Sequence, residues 1–158
     1  MALQFRRVVT SHDASGRAIV KIDEIAKNLV SSRLGATSCV VWTSQGFPVD
    51  NTGNEDAGLR KTGTTLDNGT VFRILELAPG ASPRNHRTDS IDYAVVMSGE
   101  IDMELDGSTV HLKAGDVLVQ RGTIHNWVNR GTVPCVIAFV LIAAKPVEVG
   151  GNVLHAQG

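Results

Sequence analysis

Pro79-Gly80-Ala81-Ser82-Pro83-Arg84-Asn85-His86 is a turn that ends on a histidine, and Asp92-Tyr93-Ala94-Val95-Val96-Met97 follows it as an apolar run closed by Ser98-Gly99-Glu100. This stretch decides the fold. Proline and glycine break the chain, and a β-branched run bounded by Gly and Ser reads as a strand. A second unit repeats the grammar: Lys113-Ala114-Gly115-Asp116 turns, Val117-Leu118-Val119-Gln120 extends, and Gly122-Thr123-Ile124-His125-Asn126-Trp127-Val128-Asn129 carries another histidine. Each unit therefore sets a histidine beside a half-buried strand.

Working outward, Ile101-Asp102-Met103-Glu104-Leu105 alternates apolar and acidic residues, as a strand with one wet face does. Asp106-Gly107 turns into Thr109-Val110-His111-Leu112, and Pro134 to Ile142 is apolar almost throughout, which predicts cover on both faces. Upstream, Asp67-Asn68-Gly69 makes a tight turn before a strand over Thr70 to Leu77. Ala36 to Thr43 reads as a strand. Phe5 to Thr10 and Ala18 to Ile22 flank turn chemistry at His12 to Gly16, which predicts a hairpin or a pair of extended arms. Asp23 is a candidate cap for a brief helix bearing Ile25, Leu29 and Val30. From Ser44 to Gly63 the periodicity lapses into a long loop, of the kind that serves as a lid or binding loop or runs over the surface. The tail after Pro146 is glycine-rich and expected to fray.

Short strands between Gly, Asp and Asn turns define an all-β sandwich or barrel. With 158 residues, the chain suits one domain. Its parts are an N-terminal extension of strands and long loop over 1–69, a barrel core over 70–145 and a flexible tail over 146–158. A formal net charge of -1 without basic clusters argues against nucleic acid as a partner. No apolar run reaches the length of a membrane span, and no apolar segment follows Arg6 and Arg7 to make a secretory signal. Cys39 and Cys135 lie in apolar runs and read as buried thiols of a reducing cytosol. A cytoplasmic protein is expected.

The two units together resemble the paired motifs of the cupins, small jelly-roll β-barrels. Gly80, His86, Gly99, Gly115, Asp116, His125 and Asn129 stand where the family pattern wants them, and the likeness covers about residues 70 to 143. It implies a jelly-roll barrel with an N-terminal strand extension. The pattern also departs: Thr88 replaces the second histidine of the first motif, Asp92 stands in for its glutamate, and Arg121 for a proline of the second. The family's ligand set thus shrinks to His86, His125 and Asp92. Two imidazoles and one carboxylate are the donors of a site with open positions for substrate.

With the strands laid as the resemblance implies, alternation places Asp92 and His125 toward one interior, where the carboxylate either helps to hold an ion or orients the imidazole for acid–base work. The resemblance implies a small-molecule enzyme, a dioxygenase, decarboxylase or isomerase, using Fe, Mn, Ni or Zn and acting on an oxygen-bearing substrate. Open alternatives are a metal-free lyase or isomerase in which a histidine is the base and Asp92 orients it, and a non-catalytic small-ligand binder. Arg84, Arg121 and Trp127 are candidate substrate contacts, with Arg87 a further flanking cation. His12, His111 and His155 read as solvated. Apolar strands and N-terminal arms predict a homodimer.

Overall fold

The computed structural model describes residues 3–158. Thirteen strands and one short 3-10 turn carry the described chain. β1 (Arg6–His12) and β2 (Ala18–Ile25) form the N-terminal hairpin. β3 (Leu29–Arg33), β4 (Ala36–Gln45) and β5 (Gly69–Leu77) lead into the central strands. β6 (Ser90–Ser98), β7 (Glu100–Glu104), β8 (Thr109–Lys113), β9 (Val117–Arg121) and β10 (Asn126–Val128) follow. β11 (Cys135–Ala143), β12 (Val147–Val149) and β13 (Asn152–Leu154) complete the chain.

A six-stranded antiparallel sheet in the order β3-β4-β5-β11-β6-β9 faces a three-stranded sheet in the order β10-β7-β8. Side-chain alternation explains why they meet. β11 buries Cys135, Ile137, Phe139 and Leu141 and turns Val136, Ala138 and Val140 outward; β6 buries Asp92, Ala94 and Val96. Ile101, Met103, Leu112 and Trp127 from the smaller sheet close the same core. This is the expected jelly-roll. The outer face of β11 is only half covered within the chain, so the cover expected on both its faces is incomplete here.

Several local expectations are corrected. The segment after Asp23 is extended, not helical. The β-branched run of β2 completes a ladder with β1, and Asp23 accepts from Arg6 Nε at 2.6 Å and Nη2 at 2.7 Å. A lone cap cannot outweigh a full strand pairing. The tail does not fray. β12 and β13 pair, and Gln157 exchanges two backbone hydrogen bonds with Arg87, beside the first histidine. The division at residue 69 does not follow the sheet either, since β4 pairs with β5 along its whole length. The long loop is pinned at its end. Asp56 caps the turn Ala57–Leu59 and receives Arg7 Nη1 at 2.9 Å and Nη2 at 2.5 Å, while Arg7 also reaches Glu24. No helix among the described residues is long and apolar enough to cross a membrane.

Candidate active site

His86 and His125 are far apart in sequence and adjacent in space. An isolated antiparallel bridge joins them, the N–H of each donating to the carbonyl of the other at 2.9 Å. Residues paired in this way project to the same face, and the two rings lie with centroids 4.2 Å apart, tilted by 52°. Both histidines are buried.

The backbone fixes their tautomers. His86 Nδ1 lies 3.0 Å from the carbonyl of Arg84, and His125 Nδ1 lies 3.0 Å from the carbonyl of Thr123. A carbonyl can only accept, so each Nδ1 carries the proton and each Nε2 keeps its lone pair. Burial drives both imidazoles toward the neutral form: His86 is pushed down to about 4, with the nearby Arg84, Arg33 and His125 adding to the shift, and His125 is also lowered.

Asp92 sits inward on β6, and burial raises its pKa although Ser90 and the charge of Arg73 act against this. Ser90 Oγ lies 2.5 Å from its Oδ1 and 2.8 Å from Thr88 Oγ1, and Gln120 Nε2 donates to Oδ2 at 3.0 Å. Among the described residues no hydrogen bond links Asp92 to either imidazole. The orienting role expected of it belongs to the carbonyls of Arg84 and Thr123.

These groups line one cavity of about 70 Å³, shared with Trp127, Phe139 and Leu141. Trp127 meets His125 edge-on at 5.7 Å and Phe139 at 5.8 Å, so it is both wall and core. Arg84 lines the cavity as expected. Arg121 does not: it is exposed on β9, where its neighbour Gln120 takes the inward position. Arg87 is likewise absent from the lining and serves the tail. His12 and His155 are exposed; His111, also exposed, lies 2.8 Å from Asp102. A wider depression of about 560 Å³ lies between the N-terminal hairpin and β4, but its one histidine, His12, is on the surface.

Two charged residues of the cavity escaped the sequence reading, Arg33 and Arg73. For Arg73 a signal existed. It occupies an inward register position on β5, in series with Val71, Leu75 and Leu77, where a strand of this fold places apolar residues. Asn129 proves structural: its Nδ2 donates to the carbonyls of Leu77 and Val133, and its Oδ1 accepts from Gly131.

A divalent ion would find two donors ready, the Nε2 atoms of His86 and His125. The third is missing, because among the described residues no three of His, Cys, Asp and Glu are placed to share one ion. Asp92 is engaged by Ser90 and Gln120, and three arginines line the same cavity. The residues present do not fit a three-ligand metal centre.

The fold agrees with comparisons to known proteins. Residues 73–142 match the family model described as Cupin domain. The chain is 39% identical over 159 residues to "Phomopsin biosynthesis cluster protein C'" of Diaporthe leptostromiformis, covering 94% of this chain and 83% of that one. It is 34% identical over 156 residues to "Cupin-domain-containing oxidoreductase fogC" of Aspergillus ruber, covering 92% and 76%. Among solved structures, KdgF from Halomonas sp. superposes with a TM-score of 0.50 at 17% identity over 73% of this chain and 88% of that one, a likeness of fold. The chain belongs to the cupin family.

Proposed function

We propose that this cupin is a small-molecule enzyme whose reaction takes place over the paired Nε2 atoms of His86 and His125. The observation that carries the reading is the tautomer lock. Two buried neutral imidazoles present lone pairs into one cavity, held by backbone carbonyls rather than by mobile side chains. Each free Nε2 lone pair can accept a hydrogen bond or a proton, and the burial that keeps the ring neutral also makes it a weaker base. Asp92, whose pKa burial raises while it lowers those of the two imidazoles, is the complementary group, the proton donor beside two proton acceptors. His125 takes a proton from an oxygen-bearing substrate; in an isomerisation the proton returns at another carbon or oxygen of the substrate, and in an elimination it goes to the departing oxygen group, which leaves as water or an alcohol. Trp127 and Phe139 form an apolar wall of the cavity. The names of the relatives, a biosynthesis cluster protein and a cupin-domain oxidoreductase, support a place in tailoring a biosynthetic small molecule.

A second reading has a specific observation behind it. Imidazoles held through Nδ1–H to carbonyls are prepared as metal ligands, and an oxidoreductase holding Fe, Mn, Ni or Zn on His86 and His125 would need the substrate to supply the remaining donors. The reading includes a homodimer joined through the outer sheet face, and a reducing cytosol, which suits two buried free thiols.

One experiment separates the readings. Purified protein is incubated with a metabolite extract and followed by mass spectrometry, alongside His86→Ala and His125→Ala, before and after dialysis against a chelator. Conversion lost in both variants and unchanged by chelation supports the acid–base reading. Conversion that chelation stops and one metal restores supports the second. Conversion indifferent to both histidines sinks the site.

A further inference from the structure

We infer that Arg33, Arg73 and Arg84 form a carboxylate clamp, so that the substrate of this cavity carries a carboxylate group. The inference rests on the cavity being the substrate site and adds the chemistry it selects. All three arginines line that cavity, from three separate parts of the chain: the end of β3, the middle of β5 and the loop before His86. None is ion-paired with an Asp or Glu among the described residues, whereas Arg6, Arg7, Arg60 and Arg130 all are.

Their contacts leave donors unspent. Arg33 gives Nε to the carbonyl of Ser82 at 2.8 Å, Arg84 gives Nη2 to the carbonyl of Gly158 at 3.0 Å, and Arg73 gives Nη2 to those of Gly63 at 2.6 Å and Thr64 at 3.1 Å. Each guanidinium has five N–H donors in a fixed fork. The Arg73 Nε is buried with no partner at all, a loss the fold sustains unless something else accepts from it.

Charge points the same way. Both imidazoles are neutral, so three cations share a small space with Asp92 alone. Arg33 and Arg73 are lowered mainly by burial and also by the charge of Arg84, with Asp92 acting against this on Arg73. The guanidinium groups therefore repel one another, and one carboxylate offsets only part of that. A bound anion relieves that repulsion. Planar, bidentate recognition of a carboxylate is what the guanidinium fork performs best. A divalent cation meets the opposite field, which agrees with the missing third ligand.

Calorimetric titration of the full chain tests the clamp, with malonate and benzoate as probes, malonamide and benzamide as neutral counterparts, and inorganic phosphate as a competing anion. The acids are expected to bind and the amides not. Arg33→Gln and Arg84→Gln each weaken acid binding by roughly tenfold or more, while Arg17→Gln, exposed on the hairpin, leaves it unchanged. Arg73 also ties the loop, so Arg73→Lys replaces deletion; it keeps the charge, loses the fork, and lowers affinity less than loss of charge does. Amides that bind as well as acids, acid binding unaltered in both glutamine variants, or phosphate outbinding both acids would overturn the assignment. Binding is read without turnover. His86→Ala and His125→Ala retain acid binding if the clamp stands, even where the acid–base reading fails, and a failed clamp leaves that reading intact.

Discussion

Burial acts on His86 and on Asp92 in opposite senses for stability. A histidine with a folded pKa of about 4 against 6.5 unfolded binds its proton less readily when folded, so stability is full above 6.5 and falls as pH drops toward 4. His86→Asn removes that contribution. Between those pH values wild type is expected to lose on the order of 3 kcal/mol more than the variant, read from urea midpoints across the range. Asp92 runs the other way. Its raised pKa favours the folded state in acid and costs stability as pH rises through the folded value, so Asp92→Asn should be no less stable than wild type at neutral pH. A marked loss at neutral pH would show that the bonds from Ser90 and Gln120 outweigh the buried charge.

At the level of elements, the turn between β6 and β7 and the anchor of the N-terminal hairpin are the places where one substitution breaks a close contact. Gly99 has φ +74°, and a Cβ there would lie 2.6 Å from the carbonyl oxygen of Pro134. Gly99→Ala pays at least about 1–2 kcal/mol for the left-handed backbone alone, plus the displacement of the β11 approach, measurable as a lowered urea midpoint. Arg7 is buried against Asp56 and Glu24. Arg7→Ala is expected to cost about 3 kcal/mol by leaving a carboxylate unpaired and to expose residues 50–60 to limited proteolysis. The barrel and the histidine pair were legible because turn residues and two-residue alternation are local signals, written into Gly80, Gly99 and the runs of β6 and β9. What escaped depends on distant partners. The tail orders only because Gln157 finds the backbone of Arg87, Asp23 leaves the helix only because Arg6 lies across the hairpin, and Arg33 enters the cavity only because β3 joins the larger sheet.

Considered whole, the molecule leaves one broad apolar face open. Tyr93, Val95 and Met97 of β6 and Val117 and Val119 of β9 are exposed side by side on the outer face of the six-stranded sheet, and Val117 is 74% accessible. A contiguous apolar patch of this kind marks an interaction surface, and a second copy covers it in the proposed homodimer. Val95→Lys combined with Val119→Lys should convert the dimer to monomer by light scattering without altering the circular dichroism. A wild-type monomer at all concentrations would remove the dimer from consideration.

The distribution of the cavity's groups along the chain has a structural consequence. Both imidazoles, Arg73 and Arg84 lie within the segment that matches the family model, whereas Arg33 arrives on a strand outside it. One arm of the proposed clamp is thus carried outside the family segment, while the proposed proton acceptors lie inside it. Replacement of the strand at 29–33 alone can therefore alter the proposed clamp and leave both imidazoles, with the carbonyls that orient them, in place.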